Sequence, residues 1–366
     1  MIRVLHVLGH VPIGGVGTFL INSLKFVDPM KVKFDFVMFN SKYKSNFEKE
    51  IISLGGNVEV FNSYLRADNV VKMVKELNHY LTKHEKYDIV HLHAPNLGFI
   101  VFPLTIKHGI KVRILHSHAV KYSDTLIKSL RNFVIGLPNK IFATNYMACS
   151  KEAGEFLFGS KEFFIAKNGV EVDKYKFNPE MRTKLRDYYK VQNKIIVGHI
   201  GNFLPTKNHE FLIDVFSNLY EKNNEFVLFL VGEGPLEVKI KNKIAENNLS
   251  NAVKFLGRCD NINDLLQMFD VLVLPSKNEG FGIVAIEAQI SGLRSFVSDK
   301  FSDEVKVTHY IEFVKLDSSP EKWASDVANN KCYYRSDQSD NVKKLGYDAR
   351  NTAHLLEEFY LNILKK

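Results

Sequence analysis

Two glutamates bracket a glycine-rich turn in Pro275-Ser276-Lys277-Asn278-Glu279-Gly280-Phe281-Gly282-Ile283-Val284-Ala285-Ile286-Glu287-Ala288. An apolar strand, 270–274, leads into this stretch, and the pattern that follows is helical. Backbone N–H groups from Gly280 to Ile283 would form the helix N-terminus, which is a ready site for a diphosphate. Glycine lets that backbone come close to a phosphate. A carboxylate beside such a cradle repels phosphate, so its natural partners are sugar hydroxyls, from which it accepts hydrogen bonds. The plainer reading makes Glu279 an ordinary acidic helix-start residue and Glu287 a solvated one. Against it, Glu287 sits in the apolar run IVAIEAQISG, where an unpaired charge is costly.

Two His-x-His pairs, His91/His93 and His116/His118, close predicted strands 88–93 and 111–116. Residues i and i+2 of a strand share a face, so each pair points one way. That makes a metal-dependent hydrolase a rival reading, although further ligands at the strand ends are not evident. The sequence contains no Asp-x-Asp pair. Gly14-Gly15-Val16-Gly17-Thr18 follows the first strand and opens a helix, but it does not match the GxGxxG of dinucleotide sites.

The Glu279-x7-Glu287 spacing with its glycine-rich start resembles the signature of a large retaining family, family four of the glycosyltransferases. GGVGT at 14–18, ACS at 148–150, NGVEVDKY at 168–175, GNFLPTKNHEFLI at 201–213 and LVGEGPL at 230–236 fall in that family's order. The resemblance spans essentially the whole chain. It implies two facing Rossmann-like domains (the GT-B fold) and transfer of a sugar from a nucleoside-diphosphate sugar, a UDP-sugar above all, to a hydroxyl. It also implies that Glu279 meets donor-sugar hydroxyls and Glu287 the ribose. Gly280, Phe281 and Gly282 would bind the diphosphate, Lys207 the leaving phosphates, and His118 would lie near the transferred sugar. Gly15, Gly17, Asn202 and Arg258 complete the implied donor-binding set, with His118, Lys207 and Glu279 as the catalytic group. A fixed ammonium on the departing phosphates stabilises the transition state more than the ground state. Asn202 departs from the pattern, since the family usually places an Arg there. That departure keeps open a non-catalytic nucleotide-sugar-binding subunit. No metal or other cofactor is implied, and the nucleotide-sugar is a substrate.

Strands and helices must alternate to hold these loops. Short β-branched or aromatic runs fall at 2–8, 33–39, 57–61, 88–93, 111–116, 140–148 and 162–166, with helical patterns such as 68–84 and 122–137 between them. A second series comprises 194–201, 225–232, 253–257, 270–275 and 294–298. Alternation of this kind predicts an α/β architecture of two doubly wound parallel sheets, whose ligands lie beyond the carboxyl ends of the strands. The expected division is 1–170 as acceptor-side domain, 171–192 as a charged, Pro-containing linker, and 193–345 as nucleotide-sugar domain. Residues 346–366 are expected as a helix that returns to the first domain, as the family's does.

With 366 residues, two domains are the natural count. An apolar share of 45% and a charged share of 25% are those of an ordinary globular protein. No run approaches the roughly 20 apolar residues of a membrane span, and the glycine-rich turn after the first apolar run argues for a strand over a signal peptide. Three scattered cysteines suit a reducing, cytoplasmic setting. Charge is divided unevenly. Residues 1–170 hold 22 Lys+Arg against 13 Asp+Glu, and residues 171–366 hold 27 against 28, so the first part carries +9 and the second −1. A solvated surface explains this, as does docking on the anionic inner face of the cell membrane; nucleic acid is disfavoured because no binding motif accompanies the charge. In 121–140, apolar positions 126, 130, 133, 134 and 137 share one helical face, with Lys128 and Arg131 elsewhere. Such a face normally covers a sheet; an interfacial role, with Leu126, Phe133 and Leu137 in contact with lipid, is the alternative. A lipid-linked or oligosaccharide acceptor would suit that second reading.

Overall fold

The computed structural model describes residues 1–10, 12, 15–39, 47–120, 122, 126–279, 281–331 and 333–365. Gly14, Gly280 and most of 121–125, named above, lie outside them, as does Cys332, one of the three cysteines. The chain divides into two compact units, Met1–Val170 with Gly346–Lys366, and Glu171–Leu345.

The first unit is built on seven parallel strands: β1 (Ile2–Leu8), β2 (Val32–Phe39), β3 (Asn57–Phe61), β4 (Ile89–Leu92), β5 (Val112–Ser117), β6 (Asn145–Ala148) and β7 (Phe164–Ile165). Their order is β3-β2-β1-β4-β5-β6-β7. Near-continuous apolar runs such as Val4–Leu8 suit strands covered on both faces. The 140–148 run divides in two, because residues Asn139–Phe142 form a helical turn after Pro138 and only Asn145–Ala148 extends. The Gly15–Phe26 and Ala349–Ile363 helices cover one face together. The latter is held by the buried Glu357, which accepts from Lys31 Nζ at 2.8 Å and from Asp28 N at 2.9 Å.

In the second unit the strands are β8 (Ile195–Ile200), β9 (Phe226–Val231), β10 (Val253–Gly257), β11 (Val271–Leu274), β12 (Arg294–Ser298) and β13 (Ile311–Val314). Their order is β10-β9-β8-β11-β12-β13, all parallel. Here β13 adds an edge strand that the sequence reading lacked. The stretch 171–192, read as linker, carries the Pro179–Tyr188 helix, capped by Asn178 Oδ1 accepting from Met181 N at 2.9 Å. Arg182 and Arg186 fasten that helix to Asp270 at the start of β11.

Both sheets reverse direction of growth beside their first strand, between β1 and β4 and between β8 and β11. A crevice opens at the carboxyl ends of the strands at such a point, and in doubly wound sheets that crevice takes the ligand.

Candidate functional site

In the second unit the crevice is made by the loops after β8 and β11. Lys277 N donates to Thr206 O at 2.8 Å, and Asn208 Nδ2 donates to Pro275 O at 3.1 Å. Asn208 holds the left-handed backbone, φ 57°, that lets it end the Pro205–Lys207 turn and open the His209–Lys222 helix. These two bonds set Lys207 against Glu279, and the side chains form an ion pair. Lys207 is a quarter exposed and Glu279 16% exposed, so the pair is open to a ligand at the crevice mouth.

Gly282 caps the Ile283–Ile290 helix with φ 63°. A Cβ there would lie 2.3 Å from the Phe301 ring and 3.1 Å from Glu279 Cγ, so no other residue fits. Inside the helix, Glu287 is buried and accepts a hydrogen bond from Tyr175 Oη at 2.8 Å. Burial pushes its carboxyl up to about 7, and the bond from Tyr175 only partly opposes that. Such a carboxyl has room to accept from further donors. Phe281 is buried beside the turn. Asn202 is half-buried in the loop after β8, and Arg258 is exposed after β10, with its backbone N 3.4 Å from Glu233 Oε1. The structure thus brings Lys207, Glu279 and Gly282 together after β8 and β11, with Glu287 buried further along the helix that Gly282 caps.

The first unit's crevice is a cavity of about 320 Å³ lined by residues after β1, β4 and β5, among them His10, His93, His118, Tyr122 and Asn132. Gly17 packs its α-carbon against Pro12 O, where a Cβ would lie 3.3 Å away, and Gly15 has the Asn168 side chain 3.5 Å from such a Cβ. Strand register sets His6 opposite His91, while His93 and His116 follow on adjacent strands. Five imidazoles therefore share one face. Hydrogen bonds join His6 Nδ1 to His93 Nε2 at 2.9 Å and His93 Nδ1 to His118 Nε2 at 2.8 Å. A second chain joins His116 Nδ1 to His91 Nε2 at 3.0 Å and His91 Nδ1 to Tyr360 Oη at 2.6 Å.

Burial holds all five rings neutral, His6 and His118 down to about 3, and the neighbouring rings push His91, His93 and His116 further down. A neutral imidazole carries one proton, so the His6–His93–His118 chain has only two senses. With every proton on Nε2, His6 would bury an N–H that has no acceptor, because its Nε2 is unpartnered. With every proton on Nδ1, the unpartnered buried N–H is instead that of His118, whose Nδ1 also lacks a partner. Only the second sense gives the cavity-lining His118 an N–H that a ligand could meet. The ligand atoms of His6, His91 and His93 lie within 4.8 Å of one another, as do those of His93, His116 and His118. Neither trio includes a carboxylate, and a metal on His93 would displace one of its ring–ring bonds.

Sequence reading missed His6, Tyr175, Asn208 and Tyr360. Tyr175 lies inside the quoted NGVEVDKY stretch and Asn208 inside GNFLPTKNHEFLI, so order along the chain held a signal for both.

Two doubly wound parallel units are the building plan of the GT-B fold. Comparison with known proteins agrees. Residues 181–328 match the family model described as glycosyl transferases group 1. The chain is 29% identical to EpsF of Bacillus subtilis (strain 168), covering 98% of this chain and 96% of EpsF. It is 25% identical to the capsular polysaccharide biosynthesis glycosyltransferase CapH of Staphylococcus aureus, over 99% of each. It is 28% identical to a UDP-Gal:alpha-D-GlcNAc-diphosphoundecaprenol alpha-1,3-galactosyltransferase of Escherichia coli, over 60% of this chain and 59% of that one. The crystal structure of HepE of Anabaena with UDP and glucose superposes with a TM-score of 0.78 at 19% identity, covering 98% of this chain and 99% of HepE. This chain is a glycosyltransferase.

Proposed function

We propose that the enzyme moves a sugar from a UDP-sugar to a hydroxyl of a lipid-linked saccharide, with retention of the anomeric configuration, in bacterial polysaccharide or glycolipid assembly at the cytoplasmic face of the membrane. The Lys207–Glu279 pair beside the Gly282-capped helix carries the reading. As the glycosidic bond to the nucleotide breaks, negative charge grows on the departing phosphate. The Lys207 ammonium and the N-terminus of the Ile283–Ile290 helix offset that charge. Glu279, released from Lys207 by the phosphate, accepts from donor-sugar hydroxyls, and Glu287 accepts from the ribose. The acceptor hydroxyl enters on the face the nucleotide leaves, and the departing phosphate takes its proton, so no enzyme nucleophile is required. His118 offers its Nδ1–H to the transferred sugar. The positive field is supplied by Lys207 and a helix terminus, and the proposal therefore includes no metal.

Support for UDP comes from the HepE complex, and support for a lipid diphosphate acceptor from the name of the Escherichia coli relative. A thermal-shift screen of nucleotide-sugars tests the donor, since a ligand bound at 100 times its Kd stabilises by about 2.7 kcal/mol. UDP-sugars should raise Tm and other nucleotide-sugars should not. Turnover of the bound donor, followed by release of UDP, separates an enzyme from a binding subunit.

A further inference from the structure

The Leu126–Gly136 helix is built inside out. None of its residues is buried. Ser129 and Asn132 turn toward the body of the first unit, where Asn132 Nδ2 donates to Tyr122 O at 2.8 Å. Leu126, Ile127, Leu130, Val134 and Leu137 occupy a single arc at helical spacing and look away from it, while Phe133 at the edge of that arc sets its ring against Tyr122. Leu126 is 90% exposed, Ile127 85% and Leu130 67%. Contiguous apolar patches of this kind mark a contact surface, because water leaves them unrewarded. Lys128 and Arg131 stand exposed on the same helix, in the unit that carries +9. Ile141, 79% exposed, adds a further apolar side chain just beyond the helix.

We infer that this helix lies on an anionic lipid surface and sets the adjoining cavity over a membrane-resident acceptor. The apolar arc enters the acyl boundary, while Lys128 and Arg131 reach the phosphate headgroups. The opposite edge of the same helix lines the cavity, through Asn132 beside Tyr122 and within reach of the wall formed by His93 and His118. A saccharide head can thus enter the cavity while its lipid stays in the bilayer. This rests on the lipid-linked acceptor proposed above and adds where the lipid meets the protein. Charge complementarity selects anionic lipid over a second copy of the chain, because two such faces would bring like charges together.

Co-sedimentation with phosphatidylcholine vesicles, with and without phosphatidylglycerol, tests it. The wild-type chain should bind the anionic vesicles at least about tenfold more tightly than the neutral ones. Binding should weaken several-fold between about 0.1 M and about 1 M salt, as the Debye length shrinks from about 10 Å to about 3 Å. The triple variant Leu126→Ser, Ile127→Ser, Leu130→Ser changes only exposed side chains and should lose about tenfold in binding. Lys128→Glu with Arg131→Glu should lose the preference for phosphatidylglycerol. Both variants should keep the wild-type thermal shift with UDP. Equal binding to both vesicle types, or a triple variant that sediments like the wild type, overturns the inference. So does a wild-type dimer, by light scattering, that the triple variant converts to monomer, since the face would then join two copies. Vesicle binding without any response to UDP-sugars would instead remove the donor reading and leave this surface in place.

Discussion

The two units share a sheet topology and a switch-point crevice, yet they furnish it with opposite chemistry. The second unit places a charged pair and a helix N-terminus at its crevice. The first lines its own with neutral imidazoles and apolar side chains, and keeps its positive charge on the surface. A crevice that must hold a diphosphate needs fixed charge and backbone N–H groups. One that receives a hydroxyl needs hydrogen bonds without a competing charge. On the proposed reading, one scaffold hosts two duties through its loops alone.

The sharpest break would come at the charged pair. Lys207→Ala and Glu279→Gln should each lower kcat/KM by on the order of 100-fold, or about 2.7 kcal/mol, with unfolding midpoints near wild type. Steady-state kinetics with a soluble acceptor analogue or donor hydrolysis reads this. Near-wild-type turnover in Lys207→Ala would put the leaving-group role elsewhere.

In the first unit the corresponding test is structural. Tyr360→Phe leaves His91 Nδ1 without its partner in the core, and should cost about 1–3 kcal/mol in urea unfolding.

Acid and base should act on the two units in opposite directions. Below about 6.5 unfolded histidines take protons that the buried cluster refuses, so its contribution is lost as pH falls from about 6.5 toward 3. Glu287 runs the other way. Its folded carboxyl, raised to about 7, keeps a proton that the unfolded one gives up from 4.5, so its contribution is lost as pH rises between those values. Glu287→Gln should therefore gain on the wild type in urea midpoint between pH 5 and pH 8 (values near those limits). A constant difference across that range would show that the carboxyl is ionised in the empty protein.

Chelation addresses the contrast itself. Transfer should change less than about twofold in EDTA if the positive field comes from Lys207 and the helix terminus. A loss above about tenfold, restored by one divalent ion, would shift that field to the histidine trios of the first unit. The smallest effect is spectroscopic. Nitrogen-15 spectra should show His118 as a neutral ring at pH 5, because burial holds its pKa down to about 3.

How much of this was legible in the sequence depended on distance along the chain. Alternating apolar runs marked both series of strands, because the period of a strand is local. The 139–142 turn was misread as strand, since short apolar runs look alike in either form and Pro138 starts a helix as readily as it ends a strand. The edge strand Ile311–Val314 and the Pro179–Tyr188 helix were missed because their charged, half-exposed residues hide a weak pattern.

By itself the sequence determined the order of elements, the glycine that only a left-handed cap at position 282 accepts, and the Glu279–Glu287 spacing across that cap. Each follows from residue type and near neighbours. Tertiary structure decided the rest. Glu287 and Tyr175 are 112 residues apart, and His91 and Tyr360 are 269 apart. No local rule joins such residues, since only sheet register and helix packing bring them within hydrogen-bond reach. The periodicity of 126–137 foretold an amphipathic helix, but not that its apolar arc would look outward. Period fixes which residues share a face, and the neighbours that pack against a helix fix which way that face turns.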